Sequence, residues 1–196
     1  MGPLPNKMNA MVTMGHGGLE KIVFRDDWPI PDIKAGEVLI HVRACGLNNT
    51  DINTRTGWYS KTVSNATTGD TFEEAGEEDP SWGGKPITFP RIQGADVCGE
   101  IVAVGTGINP SRIGQRVITD GWIRNPNEPF NKSKTGYFGS ECDGGFADYA
   151  AIPSSNALSI EANLTDAELA TFSCSYATAE GMLNRADVSE EDAVLI

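Results

Sequence analysis

Through the first two thirds of the chain, short apolar runs alternate with clusters of glycine and proline. The runs at 10–14, 21–24, 38–44, 97–104, 116–119 and 146–152 are rich in Val, Ile and Ala, and 38–44 alternates cleanly, with Val38, Ile40, Val42 and Ala44 on one face. This period of two belongs to strands with one buried side, and many short strands at such spacing predict an all-β barrel or sandwich. The same alternation puts His41 with Leu39 and Arg43, at a surface or rim position. Helical patterns are few. A short helix is expected at 50–56, with Asn48 and Asn49 as caps and Gly57 as the stop. Thr165-Asp-Ala-Glu168 is a capping-box pattern, and 175–185 has helical apolar spacing. The final run, 191–196, reads as the opening of a buried strand.

Composition narrows the classes. The chain has 196 residues, 39% of them hydrophobic, enough for one sizeable core in one or two domains. A formal net charge of −12 repels phosphate backbones and anionic bilayers, so nucleic acid and membrane are not expected partners. No apolar run reaches the roughly 18 residues of a bilayer span, and the first residues lack the apolar core of a signal peptide, so a cytoplasmic location is expected. Cys45, Cys98, Cys142 and Cys174 are widely spaced, unlike a zinc ribbon or a disulfide scaffold. Within 60–88, Asp70, Glu73, Glu74, Glu77, Glu78 and Asp79 crowd into ten residues, which predicts a solvated acidic insertion flanked by Trp58, Tyr59 and Trp82.

Three motifs carry the chemistry. They are Ala44-Cys-Gly-Leu-Asn-Asn-Thr-Asp51, Phe89-Pro-Arg-Ile-Gln-Gly-Ala-Asp-Val-Cys-Gly-Glu-Ile-Val-Ala-Val-Gly105 and Phe172-Ser-Cys-Ser-Tyr-Ala-Thr-Ala-Glu-Gly-Met-Leu183. Together, in this order, they resemble the medium-chain dehydrogenase/reductases of the alcohol dehydrogenase superfamily. In that family's zinc-type members a Cys stands at the position of Asn48 and a His at the position of Ala95, so Cys174 is left alone of the ligand set, with at most Asp96 as a second donor. An open zinc site needs about three protein ligands. The pattern therefore looks like the zinc-independent, quinone-oxidoreductase-like branch.

The resemblance implies a mainly β fold, a GroES-like partly open β-barrel with a few short helices over 8–160. It also implies that 161–196 are linker helices and the first strand of a Rossmann domain that is absent, as in a chain truncated at that strand. By the same resemblance the full enzyme reduces quinones or conjugated enones, small-molecule substrates, by hydride from NADPH. No zinc is expected, and a homo-oligomer is compatible with the family. The other readings are a non-catalytic GroES-like binding or assembly module and, disfavoured by Asn48 and Ala95, a zinc alcohol dehydrogenase.

The resemblance points to Asn48 and Tyr59 on the substrate side and to Thr178 on the nicotinamide side. Each residue has a plainer role as well. Asn48 is a good helix cap, and its amide can donate and accept. Tyr59 suits a rim aromatic, and a helical Thr178 commonly bonds its own backbone. Cys174 without metal is a small hydrophobe, His16 a turn residue, and Gly105-Thr-Gly107 a turn between strands rather than a dinucleotide fingerprint, since Pro110 stands where the third glycine is needed.

Overall fold

A computed structural model describes residues 4–60 and 86–195. Most of the expected acidic insertion, 61–85 with Trp82, lies outside the described residues. The rest is mainly β. Strands β1 (Lys7–Thr13), β2 (Ile22–Pro29) and β4 (Arg91–Ile92) form a small sheet in the order β2-β1-β4. Strands β3 (Glu37–Gly46), β5 (Asp96–Val104), β6 (Arg116–Thr119), β9 (Tyr149–Pro153) and β10 (Ala157–Ser159) form a five-stranded antiparallel sheet in the order β10-β6-β5-β3-β9. A two-stranded ribbon pairs β7 (Trp122–Ile123) with β8 (Gly136–Tyr137). The two larger sheets meet where the Met11 N–H donates to the Phe146 carbonyl at 2.8 Å and Ala10 bridges to Ala147.

Alternation explains the core. Val38 and Ile40 of β3 stand opposite Ile152 and Ala150 of β9, Ile40 also faces Ile101 of β5, and all of these pack with Val97, Val117 and Phe138. A second cluster of Met8, Ala10, Val12 and Ile92 lines the small sheet. The other face of β3 is less uniform than its pattern suggests. Leu39 is buried, while His41 is half-buried and stacks on Tyr149 with ring centroids 4.9 Å apart, a rim position. The strands β4, β7, β8 and β10 run only two or three residues, too short to leave a period of two in the sequence.

The helices follow their capping chemistry. Asn48 caps α1 (Asn49–Thr56) from an extended conformation, and Gly57 closes it in the left-handed region at φ 71°. Thr165 and Glu168 form a reciprocal capping box on α2 (Asp166–Leu169). Helix α3 (Ser175–Arg185) has no buried residue. His16 does more than turn the chain. Its Nδ1 lies 3.1 Å from the Thr54 carbonyl, its ring meets Phe89 edge-on, and the Arg55 guanidinium donates back to the Gly17 carbonyl, so this loop holds the C-terminal end of α1.

The run 191–196 reads as a strand that lacks a sheet in this chain, and its described residues form none. Residues 193–195 are irregular, with Val194 53% and Leu195 99% exposed. A strand is stabilised by the N–H and C=O groups of a neighbour, and no described strand offers its edge there. Among the described residues no helix is long and apolar enough to cross a membrane.

The β3–β5 pairing leaves no room beside Gly99, where an added Cβ would sit 2.4 Å from the His41 carbonyl oxygen and 2.6 Å from Ile40 Cγ2. Gly99→Ala is therefore expected to cost roughly 1–3 kcal/mol through strain in the central pair. Urea denaturation would measure it, and a change below about 0.5 kcal/mol would mean that the strands separate without cost.

Candidate active site

The site forms where the Gln93-Gly94-Ala95 turn delivers Asp96, the first residue of β5, to the N-terminus of α1. Gly94 has φ +96°, and a Cβ there would lie 2.7 Å from Cys45 Sγ, so only glycine fits. Asn48 Oδ1 accepts from the Thr50 N–H at 3.3 Å, and the Asn48 N–H donates to Asp51 Oδ2 at 2.9 Å, a closed capping box. The other carboxylate oxygen, Asp51 Oδ1, accepts from the Gly94 N–H at 3.1 Å. Gln93 completes the junction, since its Nε2 donates to the Asp51 carbonyl at 2.8 Å and its Oε1 accepts from Thr13 Oγ1 at 2.9 Å.

With its oxygen used as a cap, the Asn48 amide turns its NH2 outward. Nδ2 lies 3.5 Å from Ser175 Oγ, and the amide stands close enough to the Asp96 carboxylate to favour its anion. Asp96 Oδ1 in turn accepts from the Cys174 N–H at 2.5 Å, and the Cys174 thiol meets the Tyr137 phenol. Asn48, Asp96, Cys174, Ser175 and Tyr137, from four separate stretches of sequence, thus form one cluster beside the buried Asp51.

Burial dominates the electrostatics. It raises the Asp51 carboxyl from its ordinary 3.8 to about 6, outweighing the two backbone N–H groups that stabilise the anion, while the Asp96 charge adds to the rise. Asp96 is raised for the same first reason, against the stabilising Cys174 N–H and Asn48 amide. Burial also pushes the Cys45 thiol and the Tyr137 phenol well above their usual ranges, so both stay neutral around pH 7. The cluster can therefore offer neutral hydrogen-bond donors and carboxyl groups that hold protons more readily than free ones.

The sequence candidates are placed unequally. Asn48 caps α1 as expected, and its amide also lies in the cluster beside Ser175. Tyr59 lies beyond Gly57, at the other end of a helix whose eight residues span about 12 Å. Its hydroxyl is 3.5 Å from Asn53 Nδ2, and its ring meets Trp58 edge-on at 5.4 Å. Thr178 is exposed, about one turn into α3 from Ser175, and its N–H donates to the Cys174 carbonyl at 3.0 Å. Asp51, Gln93 and Tyr137 are site residues that sequence reasoning missed. Asp51 carried one signal, its capping-box spacing from Asn48, whereas Tyr137 sits in a two-residue strand that leaves none.

At the positions where zinc-type members carry ligands, Asn48 uses its Oδ1 as a helix cap and Ala95 offers no donor atom, which leaves Cys174 Sγ with Asp96 Oδ2; among the described residues no three His, Cys, Asp or Glu are placed to hold a metal ion.

Residues 34–162 match the family of alcohol dehydrogenase GroES-like domains. The fold superimposes with a TM-score of 0.80 on a crystal structure from Sinorhizobium meliloti 1021 assigned as an alcohol dehydrogenase, 44% identical, over 96% of this chain and 50% of that one. Human quinone oxidoreductase is 27% identical over 190 residues, covering 96% of this chain and 45% of that protein. The trans-enoyl reductase opdC of Penicillium oxalicum is 29% identical over 181 residues, covering 91% of this chain and 38% of that protein. The chain thus spans half or less of the length of these relatives.

The raised Asp51 carboxyl makes stability depend on pH with a definite sign. A folded-state pKa above the unfolded one favours proton uptake on folding, so this contribution is complete below pH 3.8 and is lost as pH rises through about 6. The span is worth at most about 3 kcal/mol. Thermal melts of wild type and Asp51→Asn at pH 4.5 and 7.5 should show wild type gaining on the variant at the lower pH. Parallel melting shifts in the two proteins would show that Asp51 ionises freely.

Proposed function

This chain belongs to the alcohol dehydrogenase GroES-like domain family, and from that premise we propose that residues 8–160 are the substrate-side domain of an NAD(P)H-dependent oxidoreductase that reduces quinones or conjugated enones. In this reading 161–196 lead toward the cofactor domain. The observation that carries it is the Asn48 amide, whose NH2 points into the cluster while Ala95 leaves no imidazole beside it. Without a metal to polarise a carbonyl, an amide N–H aimed at the substrate oxygen is the available electrophile. The names of the human and Penicillium relatives, a quinone oxidoreductase and a trans-enoyl reductase, support this substrate class.

The nicotinamide supplies the hydride. Asn48 Nδ2 exchanges its long 3.5 Å contact with Ser175 Oγ for the carbonyl oxygen, where negative charge gathers as hydride reaches the conjugated carbon. Asp96 lies beside that amide, and burial raises its affinity for the proton that the developing enolate or hydroquinone oxygen takes up. Tyr59, past the end of α1, bounds the outer rim, and Thr178, on the exposed face of α3, meets the nicotinamide edge. NADPH is the cofactor proposed, on family resemblance.

In the protein that joins this chain to its cofactor domain, Asn48→Ala is expected to lower kcat for enone or quinone reduction about 100-fold, the scale of one lost oxyanion donor. Activity should survive exhaustive chelation. One equivalent of tightly held zinc in the active enzyme, or oxidation of simple alcohols faster than enone reduction, would overturn the reading.

The 196-residue chain by itself is expected to bind NADPH no better than millimolar and to show no turnover. A few hydrogen bonds of roughly 0.5–1.5 kcal/mol fall short of the about 8 kcal/mol that micromolar binding needs, and the net charge of −12 repels an anionic cofactor. Micromolar affinity by titration calorimetry would mean that the cofactor site has been misplaced.

A further inference from the structure

Asp51 stands at a junction that its capping role alone does not require. An N-terminal acid satisfies a capping box with one oxygen, and here Oδ2 does so by accepting from the Asn48 N–H at 2.9 Å. Oδ1 reaches out of the helix to the Gly94 N–H at 3.1 Å, 43 residues away in sequence. The Asp51 carbonyl is held separately by Gln93 Nε2 at 2.8 Å. One carboxylate therefore ties the residue that begins α1 to the turn that begins β5. These two segments carry Asn48 and Asp96, whose side chains meet across the gap. The residue is 8% exposed, so water does not compete for these bonds.

The geometry points to Asp51 as a positioning residue that aims the Asn48 amide: by holding the Asn48 and Gly94 N–H groups on its two oxygens, it fixes the angle at which Asn48 Nδ2 faces the substrate. This role rests on the proposed function of Asn48. Asp51 lies behind Asn48, on the Gly94 side, and is not assigned a contact with substrate. Losing one of its two bonds would let the Gly94 turn and the α1 N-terminus move independently. A displacement of even 1 Å at a reacting group can cost about 100-fold in rate.

Asp51→Asn is the informative change, because the amide keeps the shape but presents an NH2 to one of the two N–H donors. In the full enzyme, Asp51→Asn is expected to lower kcat about tenfold with KM little changed, and to lower it no further when Asn48 is already Ala, because a residue that acts only through Asn48 has nothing left to aim. Asp51→Glu, which keeps the charge and can reach one of the two N–H groups, should recover part of the loss and serves in the same cycle if the Asn variant melts below the assay temperature. An equal loss in both backgrounds, or no loss from either variant, would overturn the positioning role while leaving the functional reading intact. Asn48→Ala with undiminished kcat would instead sink that reading, and this role with it. Amide hydrogen exchange on the unmutated chain decides the clamp without any activity: the Asn48 and Gly94 N–H groups should exchange as slowly as the central amides of β5, and fast exchange at both would refute the clamp whatever the variants do.

Discussion

The turn at Gly94 is the constraint on which the rest of the site depends. It is bonded on both sides, with the Gly94 N–H donating to Asp51 of α1 and the Gly94 carbonyl accepting from the Gly145 N–H at 2.7 Å. The residues around it repeat the pattern, since the Gln93 carbonyl takes the Phe146 N–H and the Ile92 carbonyl takes the Gly144 N–H, at 2.9 and 2.8 Å. The 144–146 segment in turn accepts from β1 through the Phe146 carbonyl. Three pieces of chain distant in sequence are locked to one turn, and space is the limiting quantity. A Cβ on Gly144 would lie 2.4 Å from the Gly94 oxygen, and one on Gly145 2.0 Å from Val97 Cγ2. Backbone can approach this closely only where side chains are absent, which accounts for the glycines of Asp143-Gly-Gly-Phe146 better than any ligand does.

Packing the turn so tightly has an electrostatic consequence. Asp51 and Asp96 are carried out of water together, within reach of each other's charge, and the backbone N–H groups that solvate them only partly offset the loss of water. Burial first, and the charges of the acids after it, hold the neighbouring thiol of Cys45 and phenol of Tyr137 in their neutral forms. An interior arranged in this way suits hydrogen-bond donation and proton holding rather than thiolate nucleophilicity, and it contrasts with the exposed pairs elsewhere, such as Arg25 with Asp27, whose attraction water and salt screen.

Helix α3 begins at the cluster and then leaves the body of the fold. Ser175 lies beside Asn48, but Tyr176, Met182 and Leu183 are 58%, 65% and 42% exposed. A helix of eleven residues draws little stability from propensity alone. Its anchorage here is the Cys174 N–H on Asp96, together with the stacked rings of Phe172 and Tyr176 at 4.3 Å. Beyond this anchorage α3 has no buried residue to hold it to the core.

What the sequence determined by itself was periodic or local. Alternation located β3, β5 and β6 to within a residue or two, the caps at Asn48, Gly57 and Thr165 set the helix ends, and the absence of Cys and His at positions 48 and 95 was legible without any structure. These features depend on neighbours a few residues apart, so a linear string contains them. The tertiary structure decided what depends on distant pairing. It moved Asp51 from a simple cap to the link with Gly94, brought Tyr137 against Cys174, and set Tyr59 at the opposite end of α1 from Asn48. It left 193–195 irregular, because a strand is stabilised by a partner's hydrogen bonds and no described strand offers them there. Burial, which sets the proton affinities of the acids, belongs to the same class: it is a property of the whole packed interior, and no short stretch of sequence records it.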